Sequence, residues 1–296
     1  MNPQVCLKTW VDGLDTLFIR RVFSRAVPAG DVRSDLRRLG IRASRGLGQH
    51  FLVDERVARR QVERAAIRSD ETVLEVGPGL GVLTRILATH AKRVIAIEKD
   101  RRLANALVGL GDHVEVVQGD AVRLEWPPFD VMVSNLPYTI SSPVTFKLLD
   151  HPFDRAILMF QKEFAERLVA RAGTKDYSRL TVNVAHRAAC EILERVPRTA
   201  FHPQPRVDSA VVRLVRRAPG YRVADEGTFH AVVDACFLHR RKTIGNALEL
   251  EWRRFANGRP AWRESLRSLP FLGGRAEDLT PEEFATLSNA VARAKG

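Results

Sequence analysis

The chain is poor in cysteine, with Cys6, Cys190 and Cys236 as its only three in 296 residues. They stand far apart and form no CxxC pair. The sequence therefore offers neither a disulfide framework nor a thiolate zinc site, and it suits a reducing compartment. Its eight histidines show no HxxxH or HExxH spacing that would gather ligands on one helix face, so no metal is expected. No apolar run approaches the roughly 20 residues that span a bilayer, and the N-terminus lacks the unbroken apolar core of a secretory signal. A cytoplasmic protein with no membrane partner is the expectation. The amphipathic stretch from Trp10 to Val27 carries Arg20, Arg21 and Arg25, as an organellar presequence would, but Asp12 and Asp15 argue against one. Internal repeats and low-complexity tracts are also missing.

What is present is a foldable, basic chain. Hydrophobic residues make up 45% and charged residues 28%, which suits one catalytic domain plus a smaller module. Forty-seven Lys and Arg against thirty-five Asp and Glu leave a net charge of +12, and the isoelectric point near 10.3 points to a polyanionic partner, nucleic acid first. Arginine dominates, in groups such as Arg37-Arg38, Arg59-Arg60, Arg216-Arg217 and Arg240-Arg241-Lys242, and its planar fork suits phosphate.

Residues 1 to 45 read as a basic extension of unknown role, with Trp10, Leu14, Leu17, Phe18 and Val22 at helical spacing. From residue 46 to 217 helical and strand patterns alternate. Strands are expected at Thr72 to Val76, Val94 to Ile97, Val114 to Gln118, Phe129 to Ser134 and Ala156 to Phe160, with helices over Val57 to Ala66 and Val82 to His90. That order implies a mostly parallel α/β sheet covered on both faces. Ala188 to Val196 and Ser209 to Val215 suggest an antiparallel hairpin at one edge. Residues 218 to 296 read as a small helical domain for RNA or ribosome binding, with Thr280-Pro-Glu-Glu283 as a helix start.

The richest segment is Leu74-Glu-Val-Gly-Pro-Gly-Leu-Gly-Val-Leu-Thr84, a buried strand running through a glycine turn into a helix. A ligand can approach the backbone closely at Gly77, Gly79 and Gly81. A dinucleotide turn reads GxGxxG, whereas here the third glycine comes one residue early, which favours S-adenosylmethionine. Glu98, about twenty residues beyond the glycines at the end of the second strand, can accept from both ribose hydroxyls. Asp120, after the third strand, could accept from the adenine amino group of that cofactor, or could simply cap the following turn.

The most telling motif is Asn135-Leu-Pro-Tyr138, directly after the apolar strand Val131-Met-Val133. An exocyclic adenine nitrogen is a poor nucleophile because its lone pair is delocalised into the ring. Acceptors aimed at its hydrogens would hold it in a more tetrahedral geometry. The side-chain oxygen of Asn135 and the carbonyl of Leu136 are suitable acceptors, Pro137 stiffens the turn, and Tyr138 offers a ring to an extruded base.

With these pieces in view, the sequence resembles the ribosomal small-subunit adenine dimethyltransferases. The matching segments run in order over roughly residues 46 to 250: Gly48-Gln-His-Phe-Leu52, Glu75 to Gly81, Glu98-Lys-Asp100, Gly119-Asp120, Asn135 to Tyr138, Gln161-Lys-Glu163, Phe201 to Leu214 and Arg240 to Ala247. The resemblance implies a Rossmann-like methyltransferase domain with a helical C-terminal domain, and S-adenosylmethionine as cofactor. It implies cofactor contacts at His50, Leu52, Gly77, Glu98, Asp120 and Asn135, and stacking of the target adenine on Tyr138 and on Phe160. It implies dimethylation of N6 on two adjacent adenines near the 3′ end of small-subunit ribosomal RNA, within a preassembled subunit. His50 departs from the bacterial pattern, which has Asn there, and looks archaeal or eukaryotic.

A monomer is expected, with Arg240, Arg241 and Lys242 gripping RNA. Two rivals are a large-subunit adenine methyltransferase of the erythromycin-resistance type and an assembly factor that mainly binds nucleic acid. Leu136, Tyr138 and Thr243-Ile-Gly-Asn246 favour the small-subunit enzyme over the first. Intact Gly77, Glu98, Asp120 and Asn135 argue against the second. A DNA adenine methyltransferase would be expected to carry a base-reading domain that is not found.

Overall fold

A computed structural model describes residues 32–41 and 49–294. Cys6, Gly48 and the amphipathic stretch over residues 10–27 lie outside the described residues. The chain divides into two compact units, one of residues 1–165 and 191–216, the other of residues 166–190 and 217–296. The boundary expected at residue 217 is therefore incomplete, because residues 166–190 belong with the C-terminal helices. Their apolar side chains explain it: Tyr177 and Val182 are buried in one cluster with Phe229, Val233 and Phe284.

The first unit is built on a seven-stranded sheet. β2 (Thr72–Val76), β3 (Arg93–Glu98), β4 (Val114–Gln118), β5 (Val131–Asn135) and β6 (Arg155–Gln161) run parallel. β9 (Ser209–Arg216) lies antiparallel to β6, and β7 (Ala188–Val196) forms the edge beyond it, in the order β4-β3-β2-β5-β6-β9-β7. A separate short pair joins β1 (Phe51–Leu52) to β8 (Phe201–His202), antiparallel. The central strands read as unbroken apolar runs because both faces are covered. Val73, Leu74, Val131, Met132, Val133, Ile157 and Leu158 are wholly buried, each contributing roughly 1.5–3 kcal/mol.

Helices cap and end by local chemistry. α1 (Val32–Arg38) packs through Val32 and Leu36 on Phe51, Leu80 and Leu103. α2 (Glu55–Ala65) starts where the Asp54 carboxylate accepts from Arg56 N at 3.0 Å, and turns Val57, Ala58, Val62 and Ala65 inward. It stops at Ala66 in the left-handed region, φ 46°. α3 (Val82–Leu87) follows the glycine turn, and α4 (Arg101–Leu107) is capped by Asp100. α5 (Ser141–Asp150) completes the set, and α6 (Lys162–Leu168) runs across the division at residue 165.

The second unit gathers α7 (Arg179–Arg187), α8 (Glu226–Leu238), α9 (Ile244–Leu250), α10 (Arg259–Leu266) and α11 (Pro281–Ala294). Its buried aromatics are tied by their polar ends: Trp262 Nε1 donates to Leu248 O at 3.1 Å and Tyr177 Oη to Leu279 O at 2.7 Å. The helix start read at Thr280 is a reciprocal cap, since Thr280 N donates to Glu283 Oε2 at 2.8 Å and Glu283 N to Thr280 Oγ1 at 3.2 Å. Among the described residues no helix is long and apolar enough to cross a membrane.

Candidate active site

Strand order reverses between β2 and β5, and in an open sheet of this kind ligands bind outside the carboxyl ends of the strands at that point. Both strands end there in the segments already singled out. β2 feeds the turn Gly77 to Gly81, where the backbone at Gly77 is left-handed, φ +72°. A Cβ on Gly77 would also stand 2.9 Å from Pro137 Cδ. The missing side chain is what lets the glycine turn close on the loop after β5.

The result is a cleft open on one side to solvent. Gly77, Gly79, Glu98 and the whole of Asn135 to Tyr138 line it, joined by Gln49, His50 and Phe51 on one side and by Met159 and Phe201 on another. Glu98 is only 6% exposed. Its two oxygens accept from Gly79 N at 3.1 Å and Asp100 N at 2.8 Å, so it holds the glycine turn and keeps lone pairs for a ligand. Burial pushes its carboxyl above the usual range.

Asn135 ends β5, and its side-chain oxygen is buried with no hydrogen-bond partner. Leaving such an acceptor unmet costs about 1–3 kcal/mol, so the atom reads as one end of a contact completed by a bound donor. Tyr138 is fixed from two sides. Its Oη lies 2.6 Å from Ser209 Oγ, and its ring lies 5.4 Å from that of His50. His50 Nδ1 donates to Pro203 O at 2.7 Å, because a carbonyl can only accept. Burial holds the Tyr138 hydroxyl above its ordinary range, so it stays neutral.

Four expected residues are placed differently. Leu52 is buried in β1 opposite Phe201 and does not line the cleft, whereas its neighbour Phe51 does. Asp120 sits past the end of β4 outside the lining of the cleft, and its carboxylate accepts from Lys99 Nζ at 2.9 Å and, as in the capping alternative, from Val122 N at 3.0 Å. Lys99 holds that carboxyl below the usual range. Phe160 needs a correction: it is 0% exposed and packs on Phe164. Neighbouring side chains of a strand face opposite ways, and Met159 takes the cleft side, so Phe160 offers no face to a base. The aromatic that does line the cleft is Phe201, inside the quoted Phe201-His-Pro-Gln-Pro segment. In the second unit, Arg240 pairs with Glu277 at 2.8 Å and donates to Lys175 O at 2.9 Å, while Arg241 and Lys242 are exposed.

Residues 40–258 match the family model for ribosomal RNA adenine dimethylase. This chain belongs to that family. It is accordingly an S-adenosylmethionine-dependent methyltransferase, and the glycine cradle and the buried Glu98 fit that cofactor. Among relatives of the dimethylase, "Probable ribosomal RNA small subunit methyltransferase A" of Thermococcus gammatolerans is 46% identical over 245 residues, 82% of this chain and 87% of that protein. The protein of the same description from Methanopyrus kandleri is 46% identical, covering 87% and 95%. A solved dimethyladenosine transferase from Plasmodium falciparum superposes with a TM-score of 0.69 at 31% identity, covering 80% of this chain and 96% of that one. The 23S rRNA methyltransferase ErmE superposes with a TM-score of 0.60 at 33% identity, covering 82% and 99%.

Proposed function

We propose that this dimethylase adds two methyl groups to N6 of each of two adjacent adenines in the 3′-terminal hairpin of small-subunit ribosomal RNA. It acts as a cytoplasmic monomer on the assembling small subunit. The observation that carries the adenine reading is the buried, unpartnered Asn135 oxygen. It stands beside the glycine turn in a cleft with aromatic walls at Tyr138 and Phe201.

An extruded adenine slides against Tyr138, with Phe201 as the second ring, since base stacking on aromatics is worth about 1–3 kcal/mol per base. The Asn135 oxygen and the Leu136 carbonyl then accept from the N6 hydrogens and hold that nitrogen with its lone pair turned into the cleft. When bound, S-adenosylmethionine supplies the methyl on a sulfonium whose charge is lost on transfer. No strong base is needed, because the nitrogen proton leaves to solvent afterwards. Glu98 holds the ribose end. The exposed Arg241 and Lys242 grip phosphate, whereas Arg240 holds the loop that carries Lys175.

The test uses undermethylated small subunits and labelled S-adenosylmethionine. Wild type should yield N6,N6-dimethyladenosine from the 3′-terminal region. Asn135→Ala should lose roughly 10²-fold in rate, as when one preorganised polar contact is removed. Label on a ring carbon, on a pyrimidine or on ribose would overturn the adenine reading. The similarity to ErmE favours a second reading, and dimethyladenosine in large-subunit RNA alone would establish it instead.

A further inference from the structure

We propose that Ser209 is a positioning residue for the methyl transfer, acting through the hydroxyl of Tyr138. The inference deepens the reading of Tyr138 as the platform for the target base, and rests on it. A stacked base uses the face of the ring; the hydroxyl adds nothing to that contact. The structure shows what the hydroxyl does instead. It lies 2.6 Å from Ser209 Oγ, and Ser209 is 0% exposed at the start of β9, opposite Gln161 at the end of β6. β6 is in turn paired with β5 through Asn135 and Met159. The base platform and the Asn135 acceptor are thus referred to the same rigid strands.

Without this tie the ring would be held through its own Cβ and by the neighbouring His50 ring. Turning about its two side-chain torsions would tilt the base relative to the Asn135 oxygen. Catalytic groups must stay within about 10–20° of the productive geometry, and a tie to a buried strand residue supplies that. Ser209 touches neither base nor cofactor, since the lining of the cleft stops at Tyr138 and Phe201.

A double-mutant cycle on the full chain tests this, with kcat measured on undermethylated small subunits. Ser209→Ala and Tyr138→Phe should each lower kcat about 3- to 10-fold, the size of one neutral hydrogen bond. The double variant should be no slower than either, and affinity for S-adenosylmethionine should be unchanged in all three. The chain has three tyrosines, Tyr138, Tyr177 and Tyr221, so tyrosine labelled at the hydroxyl-bearing carbon gives three resolvable signals. Ser209→Ala should move only the signal that Tyr138→Phe abolishes. Losses that multiply in the double variant, an unmoved signal, or an unchanged kcat would each overturn the proposal. Tyr138→Phe changes a partly exposed residue and keeps the test open if Ser209→Ala folds poorly. Tyr138→Ala separates the two ideas. If it keeps full kcat, the platform reading itself fails; if it is nearly inactive while the cycle multiplies, only Ser209 falls.

Discussion

Glu75, one residue before the end of β2, is 1% exposed, and its Oε2 has no hydrogen-bond partner. Burial, with the negative Glu98 nearby, pushes its carboxyl up to about 8, against an ordinary 4.5, and the Thr84 hydroxyl and then Arg85 only partly oppose this. The folded state therefore holds this proton more tightly than the unfolded chain does. Its contribution to stability is complete below the unfolded value and is lost as pH rises through about 8. Glu75→Gln keeps the shape and removes the titration. A carboxyl carried that far costs up to about 5 kcal/mol once ionised. Relaxation and water entry reduce this, so the variant should gain on the order of 1–3 kcal/mol over wild type between about pH 5 and pH 9. Any fixed cost of burying the Gln amide is the same at each pH and cancels. Calorimetry of the cofactor-free protein gives the difference, and infrared absorption of the protonated carboxyl should fade near pH 8 in wild type only. A stability difference that is flat with pH, together with no protonated carboxyl band below neutrality, would refute the reasoning.

Glu98→Ala should weaken S-adenosylmethionine binding by about 1.5–3 kcal/mol, the value of a hydrogen bond to a charged group, and unchanged affinity in a folded variant would remove it from the cofactor site. Gly77→Ala should abolish most activity, because the new Cβ would meet Pro137 at 2.9 Å in a left-handed backbone; full activity would mean that the turn and the catalytic loop need not touch. Arg155→Ala should destabilise the first unit by about 3 kcal/mol, since it strips the carboxylate of Glu71, 1% exposed, of two donors at 2.9 and 2.7 Å. Urea denaturation checks it, and the acid limb should soften too, because Glu71 is held below its ordinary value chiefly by Arg155.

The glycine turn, Glu98 and the Asn135 loop could be read from sequence because each carries a local signature: a strand period that stops, a left-handed turn, an acidic strand end. The same does not hold for Phe160. Arg155 to Gln161 is an apolar run with no alternation, since both faces of β6 are covered. Nothing along it tells which side chains face the cleft. Only the register with β5, Asn135 opposite Met159, settles that Met159 does. Phe201 was hidden for another reason. It reaches the cleft through the two-residue pairing of β8 with β1, a contact across about 150 positions that leaves no periodicity. Residues 166–190 resemble any helix-rich crossover between strands. Their assignment to the second unit depends on Tyr177 and Val182 meeting Phe229 and Phe284, again at long range. Arg240 belongs to a run of three cations that sequence cannot tell apart, yet only one of them is taken by Glu277.

The two ends of the sheet differ in a way that bears on where function resides. At the amino end of β2, Thr72 N is met by Asp130 Oδ2 at 2.7 Å, and Glu71 is met by Arg155 and by Arg68 N at 2.7 Å. At the carboxyl end of the same layer, Glu75 Oε2 and Asn135 Oδ1 are buried and unmet, and Gly77 and Gly79 are held in left-handed conformations. Gln61 on α2 is also unmet, so unpaired buried atoms do not by themselves mark a site. What distinguishes the carboxyl end is that the unmet Asn135 oxygen, the left-handed glycines and the ring bonded to Ser209 meet in one cleft. A chain selected for stability alone would have satisfied these groups as it satisfies those at the other end. The buried Asn135 oxygen at that end is an acceptor left for a donor from outside the fold, and that is the kind of group a binding cleft needs and a stabilising core does not.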